Sequence, residues 1–369
     1  MSEFIVSARK YRPQNFEDVV GQKHISATLK NAIRTGKVAH AFLFCGPRGV
    51  GKTTSARILA KTLNCINLTP ELDPCNACIS CTAFNESHSF NIHELDAASN
   101  NGVDDIRKLV EQVRIAPQVG THSVYIIDEV HMLSTAAFNA FLKTLEEPPA
   151  HAIFILATTE KHKILPTILS RCQVFDFSRI TIEDMAEHLG RIAEKEGVTA
   201  EADALHIIAQ KADGALRDAL SIFDRMVTFT GQNLTYKAVI ETLNVLDYDY
   251  FFKMVDYANQ GDVRQLLLTY NDIVDKGFEG HHFISGFCDH LRNLMVARDA
   301  QTVKLLEVGE KAREQYLAQA KETPGDWLLG ALREATKTDM DYKSATNKRL
   351  IIELFLLQLV ELKKKVAKA

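Results

Sequence analysis

Apolar positions along this 369-residue chain fall into two rhythms. Between residues 41 and 177, short unbroken apolar runs alternate with stretches of helical spacing; beyond 179 only the helical spacing continues. The runs at 41–45, 90–96, 123–128, 152–157 and 174–177 have the length and β-rich content of strands. Between them, Ile58, Leu59 and Leu63, then Val103, Ile106, Val110 and Val113, then Phe138, Phe141, Leu142 and Leu145 recur at helical spacing. Pro148 and Pro149 end the last of these helices. Strand and helix in alternation predict a mainly parallel sheet covered by helices on both faces.

The α/β rhythm stops near 177–179, and a group of short helices is predicted at 182–196, 202–212, 216–229 and 236–243. The acidic-aromatic stretch 246–250 marks a second junction, followed by helical segments at 266–273, 283–296 and 350–362. The expected organisation is therefore an α/β domain at 1–178, a small helical domain at 179–243 and an all-α domain at 244–369. The lysine-rich stretch 363–369 reads as a frayed helix end.

Composition adds that 46% of residues are hydrophobic, enough for a packed core throughout. No stretch approaches the length of a membrane span and the N-terminus lacks the apolar core of a signal peptide, so a soluble cytoplasmic protein is expected. The formal net charge of −4 hides an asymmetry. Residues 1–64 hold 11 Lys and Arg against 3 Asp and Glu, a local +8. That block is either a phosphate-facing surface or a solvated basic face, and charge alone does not separate the two.

The chemistry begins where the first strand ends. Gly46, Pro47, Arg48, Gly49, Val50, Gly51, Lys52 and Thr53 spell G-x-x-x-x-G-K-[ST], with Thr54 opening the following helix. Strand, glycine-rich loop and helix in that order aim backbone N–H groups and a helix N-terminus at phosphates. Lys52 supplies a point charge and the Thr53 hydroxyl a magnesium ligand, so ATP and Mg²⁺ are the expected cofactors; the alternative is a chance glycine-rich turn. Asp128 and Glu129 close the third strand. In that context Asp128 belongs on the metal side and Glu129 beside the attacking water.

Four of the seven cysteines, Cys65, Cys75, Cys78 and Cys81, are spaced C-x9-C-x2-C-x2-C. Four thiolates at such spacing can converge on a structural Zn²⁺, giving a knuckle at 65–81; disulfides are disfavoured in a cytosolic chain. Cys45, Cys172 and Cys288 read as small buried or partly buried residues. His131, His151 and His162 lack ligand spacing and read as structural or solvated.

With these residues assembled the chain resembles the AAA+ ATPases, and within them the clamp-loader branch. Lys10-Tyr-Arg-Pro-Gln-Asn-Phe-Glu-Asp-Val-Val-Gly-Gln22 is similar to the family's N-terminal box, and Asp128-Glu-Val-His131 to its Walker B form. Ser170-Arg-Cys172 resembles the clamp-loader signature, and Gly214-Ala-Leu-Arg-Asp-Ala219 the sensor-2 helix. These motifs cover residues 1–245; beyond them the likeness rests on length and helical character. The resemblance implies a P-loop AAA+ domain with a zinc knuckle, a helical lid and an all-α collar. It puts Tyr11, Arg12, Pro13, Val19 and Val20 against the nucleotide, Thr159 in the sensor-1 position and Arg217 on the phosphates from the lid. Arg171 would be an arginine finger reaching a neighbouring subunit's nucleotide.

The same resemblance implies an ATPase within a bacterial replicative polymerase holoenzyme. Its partners would be delta-type and delta-prime-type subunits, further copies of this chain, a sliding clamp and primed DNA. Ser99, Asn100 and Asn101 before a helix, with Arg107 and Lys143, are the expected DNA contacts, although 100–102 carry no positive charge. Bland readings stand beside these. Arg217 could pair with Asp213 or Asp218, Lys143 with Glu146 or Glu147, and Thr158 and Thr159 could cap a strand end. Alternative functions are another AAA+ DNA motor such as a branch-migration helicase, or a non-hydrolysing loader scaffold.

Overall fold

The computed structural model describes residues 5–86, 88–117 and 120–366. The chain divides into two units, one of Met1–Gly197 with Ile208–Phe229, the other of Val198–Ile207 with Thr230–Ala369.

The first unit is built on five strands: β1 (Ala41–Cys45), β2 (Ile92–Asp96), β3 (Ser123–Asp128), β4 (Ala152–Thr158) and β5 (Gln173–Asp176). They pair in the order β2-β3-β4-β1-β5, every pair parallel. Side chains alternate between faces, so the unbroken apolar runs feed two cores at once. Phe42, Phe44, Ile126 and Ile155 point to one face, where Ile25 and Leu29 of helix Lys23–Arg34 and Ile58 and Leu59 of helix Lys52–Asn64 cover them. Leu43, Tyr125, Ile127, Phe154 and Leu156 point to the other, under Ile106 and Leu109 of helix Val103–Val113 and Phe138 and Phe141 of helix Thr135–Glu146.

Phe154 sits at the middle of that second core, with no exposed surface and the rings of Tyr125 and Phe141 at 5.6 and 5.1 Å. Truncating it to alanine would cost about 3–5 kcal/mol. The second strand begins at Ile92, two residues later than the expected 90–96, where pairing with β3 starts, and Phe90 is left exposed. All five strands being parallel, their carboxyl ends share one edge, where ligands of open α/β sheets bind.

The helix Ile182–Glu196 follows, with Thr181 accepting from the N–H of Asp184 at its start and Gly197 in the left-handed region at its end. Leu216–Thr230 forms the helix that carries Arg217. In the second unit, β6 (Thr199–Ala200) pairs in parallel with β7 (Asn233–Leu234). Within the 246–250 stretch a helix begins: the Asp247 carboxylate accepts from the N–H of Asp249, and the helix runs Tyr248–Gln260. Helices Val263–Asp275, Gly280–Ala297, Glu310–Glu322, Gly325–Tyr342 and Lys348–Val366 complete this unit around Phe251, Phe283, Phe287, Trp327 and Phe355. Among the described residues no helix is long and apolar enough to cross a membrane.

Candidate nucleotide site and cysteine cluster

The glycine-rich loop leaves the end of β1 through Gly46, whose φ of 145° and closeness to the Phe177 carbonyl leave no room for a Cβ. Gly51, at φ 102°, precedes the helix Lys52–Asn64, so its first-turn N–H groups face the loop's concave side. Lys52 is buried and donates from Nζ to the carbonyls of Gly46 and Pro47 at 2.8 and 2.7 Å. Burial pushes its pKa down, against the pull of Glu129 and Asp128. Thr53 Oγ1 donates to Asp128 Oδ2 at 2.6 Å, which brings the two expected magnesium ligands together.

Glu129 adopts φ 47°, and its own N–H donates to Asp128 Oδ1 at 2.9 Å. Its Oε2 accepts from Thr159 Oγ1 at 3.0 Å and from the Thr159 N–H at 3.3 Å. His131, expected to be structural or solvated, belongs to this cluster. It is nearly buried, its Nδ1 lies 3.0 Å from Thr158 Oγ1 and 3.5 Å from Glu129 Oε2.

These groups border a cavity of about 520 Å³. Tyr11, Arg12, Pro13, Val19 and Val20 line it together with 48–54, Asp128, Glu129 and Arg217. Gly46, Pro47 and Thr159 stand behind the lining and act on it through Lys52 and Glu129. Arg12 is half-buried, and burial followed by the nearby Arg57 and Arg217 cations lowers its pKa. Among the described residues Arg217 has no ion pair, and Asp213 pairs with Arg179 instead. The Tyr11 hydroxyl donates to Glu196, Lys10 Nζ reaches the same carboxylate at 2.6 Å, and the Ser7 N–H meets Asp224 at 2.7 Å. The N-terminal segment 7–11 is thus tied to the two helices beyond the sheet.

Asp96, Ala98, Leu216 and Leu220 also line the cavity and went unread in the sequence. Asp96 ends β2 opposite Asp128 on β3, so the rule that ligands collect at strand carboxyl ends could have found it. Leu216 and Leu220 lie four apart, on one face of the helix that carries Arg217.

Arg171 lies away from this cavity. It donates to the Thr167 carbonyl at 2.7 Å and pairs with Glu146 at 2.8 Å. Glu146 is therefore not the partner of Lys143, which is exposed and has no ion pair among the described residues. At 99–101 the chain folds back on Asp96: Ser99 Oγ and the Asn100 Nδ2 donate to it, while the Asn101 carbonyl accepts from Ser134. Asp104 and Asp105 occupy the first turn of the next helix, and Arg107 pairs with Asp104 at 3.2 Å.

The sulfurs of Cys65, Cys75, Cys78 and Cys81 all lie within 4.8 Å of one another, with Cys65 and Cys78 4.0 Å apart, and all four are free thiols. A tetrahedral zinc with sulfurs at about 2.3 Å needs sulfur separations only slightly shorter. Backbone N–H groups point at the cluster, Cys75 to Cys65 Sγ at 3.3 Å and Cys78 to Cys75 Sγ at 3.2 Å. Burial opposes ionisation of Cys78, but donors from Ile66 and Cys81 outweigh it and bring the thiol down to about 6. Four sulfurs with amide donors around them fit a metal ion of zinc's type. Cys45, Cys172 and Cys288 stand apart, with burial pushing them up to about 11, 12 and 11.

Three family models match in sequence along the chain: DNA polymerase III, delta subunit over 21–181, DNA polymerase III clamp loader subunit, ATPase lid domain over 184–232, and DNA polymerase III subunits gamma and tau domain III over 234–369. The DNA polymerase III subunit tau of Bacillus subtilis is 40% identical over 353 residues, 96% of this chain and 62% of its own length. The DNA polymerase III subunit gamma of Buchnera aphidicola subsp. Baizongia pistaciae is 37% identical, covering 85% of each chain. The chain thus spans about three fifths of the length of the longer relatives. Among solved structures, a Thermotoga maritima RuvB Holliday junction branch migration motor aligns with 67% of this chain and 78% of its own, at 22% identity and a TM-score of 0.48.

Proposed function

The chain belongs to the family of DNA polymerase III gamma and tau subunits, and on that premise we propose that it is the ATP-driven motor subunit of a bacterial sliding-clamp loader. In this reading ATP binding arranges the subunits to open the clamp on primed DNA, and hydrolysis releases both. Residues 1–178 form the nucleotide domain, 179–243 the lid and 244–369 the collar. Delta-type and delta-prime-type subunits and further gamma/tau copies complete the cytoplasmic assembly. Family membership sets aside a branch-migration helicase, and the presence of Lys52, Thr53, Asp128 and Glu129 speaks against a non-hydrolysing scaffold.

The observation that carries this reading is the convergence of Lys52, the Thr53–Asp128 pair, Glu129 and Arg217 on one cavity, with Arg171 outside it. Lys52 releases its two loop carbonyls to bind phosphate oxygens. Thr53 and Asp128 would hold Mg²⁺, which would supply positive charge against that developing on the phosphates. Glu129 orients the attacking water and takes its proton, and Thr159 fixes the carboxylate for that task. Arg217 contacts the phosphates of its own nucleotide, and Arg171 reaches those of a neighbour. Zn²⁺ in the four-cysteine cluster is structural. For DNA we assign the backbone at 99–101 and Lys143; Arg107 contributes less, being paired with Asp104 in a turn that already holds two carboxylates.

ATPase turnover of the full chain, alone and then with partner subunits, clamp and primed DNA, tests the reading. Stimulation by the complete set is expected, with nucleotide binding lost in Lys52→Ala. Equal turnover with and without partners would refute an assembly-dependent motor. Metal analysis should find about one zinc per chain.

A further inference from the structure

The loop between the cysteines is joined to the N-terminal segment by buried polar contacts. Asp73 accepts from the Phe16 N–H at 3.0 Å and from Lys30 Nζ at 2.8 Å, with side chains only 8% and 13% exposed. Asn76 donates to Asn15 at 3.3 Å and accepts from Lys61 Nζ at 2.6 Å. Lys61 also donates to Gln14 at 2.7 Å and Asn85 at 3.2 Å. The cysteine loop therefore grips 14–16 from behind. The residues just before and after that stretch line the nucleotide cavity.

Lys61 carries a second clue. It is 3% exposed, and among the described residues its hydrogen-bond partners are the amide oxygens of Gln14, Asn76 and Asn85, with no carboxylate among them. A buried cation without a counter-charge is expensive. Four thiolates around a divalent ion leave two negative charges, and two of those sulfurs, on Cys81 and Cys65, are the groups that attract the Lys61 charge. Without the metal Lys61 would lose its counter-charge, and the loop bearing Asp73 and Asn76 would lose its fixed shape. Nucleotide would then have to order the cavity wall as it binds, and that ordering weakens affinity.

We propose that metal in the cysteine module and nucleotide in the cavity bind with positive coupling, carried by Lys61, Asp73 and Asn76 as positioning residues acting on 14–16. The inference rests on the nucleotide and zinc assignments made above. Coupling between two sites is reciprocal, so each ligand must tighten the other by the same factor.

The experiment uses the full chain. ADP affinity is titrated by calorimetry for the zinc-loaded protein, for protein stripped with chelator, and for the Asp73→Asn and Lys61→Met variants. Zinc affinity is measured by chelator competition with and without saturating ADP. Stripping should weaken ADP binding by about fivefold or more, matching the factor by which ADP tightens zinc. Asp73→Asn should keep its zinc, bind ADP more weakly and lose the tightening of zinc by ADP, a loss of linkage that a merely structural role for Asp73 would not produce. ADP affinity within about twofold of wild type in both the stripped chain and Asp73→Asn overturns the proposal. If stripping unfolds the chain or Lys61→Met fails to fold, the zinc affinity of the intact protein decides, and no change with ADP overturns it. A wild-type chain that holds zinc but binds no ADP, or the reverse, removes the premise and the coupling with it, which marks that failure as belonging to the site assignments.

Discussion

Glu129 shows how little of a candidate catalytic arrangement depends on neighbours in sequence. Its carboxylate is held by both donors of Thr159, thirty residues away, and by its nearness to His131. If Glu129 activates the water, Glu129→Gln should still bind ATP while turnover in the assembled loader falls by about 10²–10⁴. Thr159→Val keeps the shape and the backbone donor but removes the hydroxyl. A hydrogen bond to a charged group is worth about 1.5–3 kcal/mol, so turnover should drop by about tenfold or more with ATP affinity unchanged. Unaltered turnover would leave Thr159 as a strand-end cap. The phosphate loop was legible because its whole message lies in consecutive residues. The Glu129–Thr159–His131 cluster was not, since it needs β3 and β4 in the register that places Ile127 beside Leu156. Asp96 was hidden for the same reason, its role being set by pairing with Asp128 across two strands.

At the scale of elements, the central strands β1, β3 and β4 were readable because parallel strands buried on both faces cannot hide their apolar runs. Besides Tyr248–Gln260, two further helices of the second unit were not readable. Glu310–Glu322 buries little beyond Tyr316, Gln319 and Ala320, and Gly325–Tyr342 turns small residues such as Ala331, Ala335 and Thr338 inward, so neither shows a strong apolar stripe. Helix Gly280–Ala297 carries the clearest titratable group in that core. His290 is 1% exposed, its Nδ1 lies 2.9 Å from the Tyr316 hydroxyl, and the rings of Phe251, Phe252 and Phe287 surround it. Burial pushes its pKa down to about 3, with Gln319 opposing. The folded state thus keeps His290 neutral where the unfolded chain takes up a proton. Its contribution is complete above about pH 6.5 and is lost as pH falls from there toward 3, at up to about 1.4 kcal/mol per pH unit. Thermal unfolding between pH 7 and 4.5 should show this slope, and His290→Gln should flatten it. Equal slopes in the two proteins would show that the carboxylates, not His290, control acid stability.

At the scale of the whole molecule, the proposed function makes one arginine decide whether the site is complete within a single chain. Arg171 does not line the cavity, and its guanidinium rests on Glu146 and the Thr167 carbonyl at the surface. An exposed pair of this kind is worth about 0–1 kcal/mol, weak enough to yield to the phosphates of an adjoining subunit. In the isolated chain Arg171→Ala should therefore bind ATP as wild type does and melt at nearly the same temperature. In the loader assembled with clamp and primed DNA, its turnover should fall by about 10³–10⁵, the range for an arginine supplied in trans. Glu146→Gln separates this account from a structural role. It frees the guanidinium without removing it, so turnover in the assembly should be kept or raised, whereas a pair needed to shape the 166–172 segment would make this variant fail as Arg171→Ala does. Full turnover by Arg171→Ala in the assembly would sink the trans contact outright. Loss in both variants would assign the pair to shape, because only a guanidinium that must leave Glu146 to act can be indifferent to losing it.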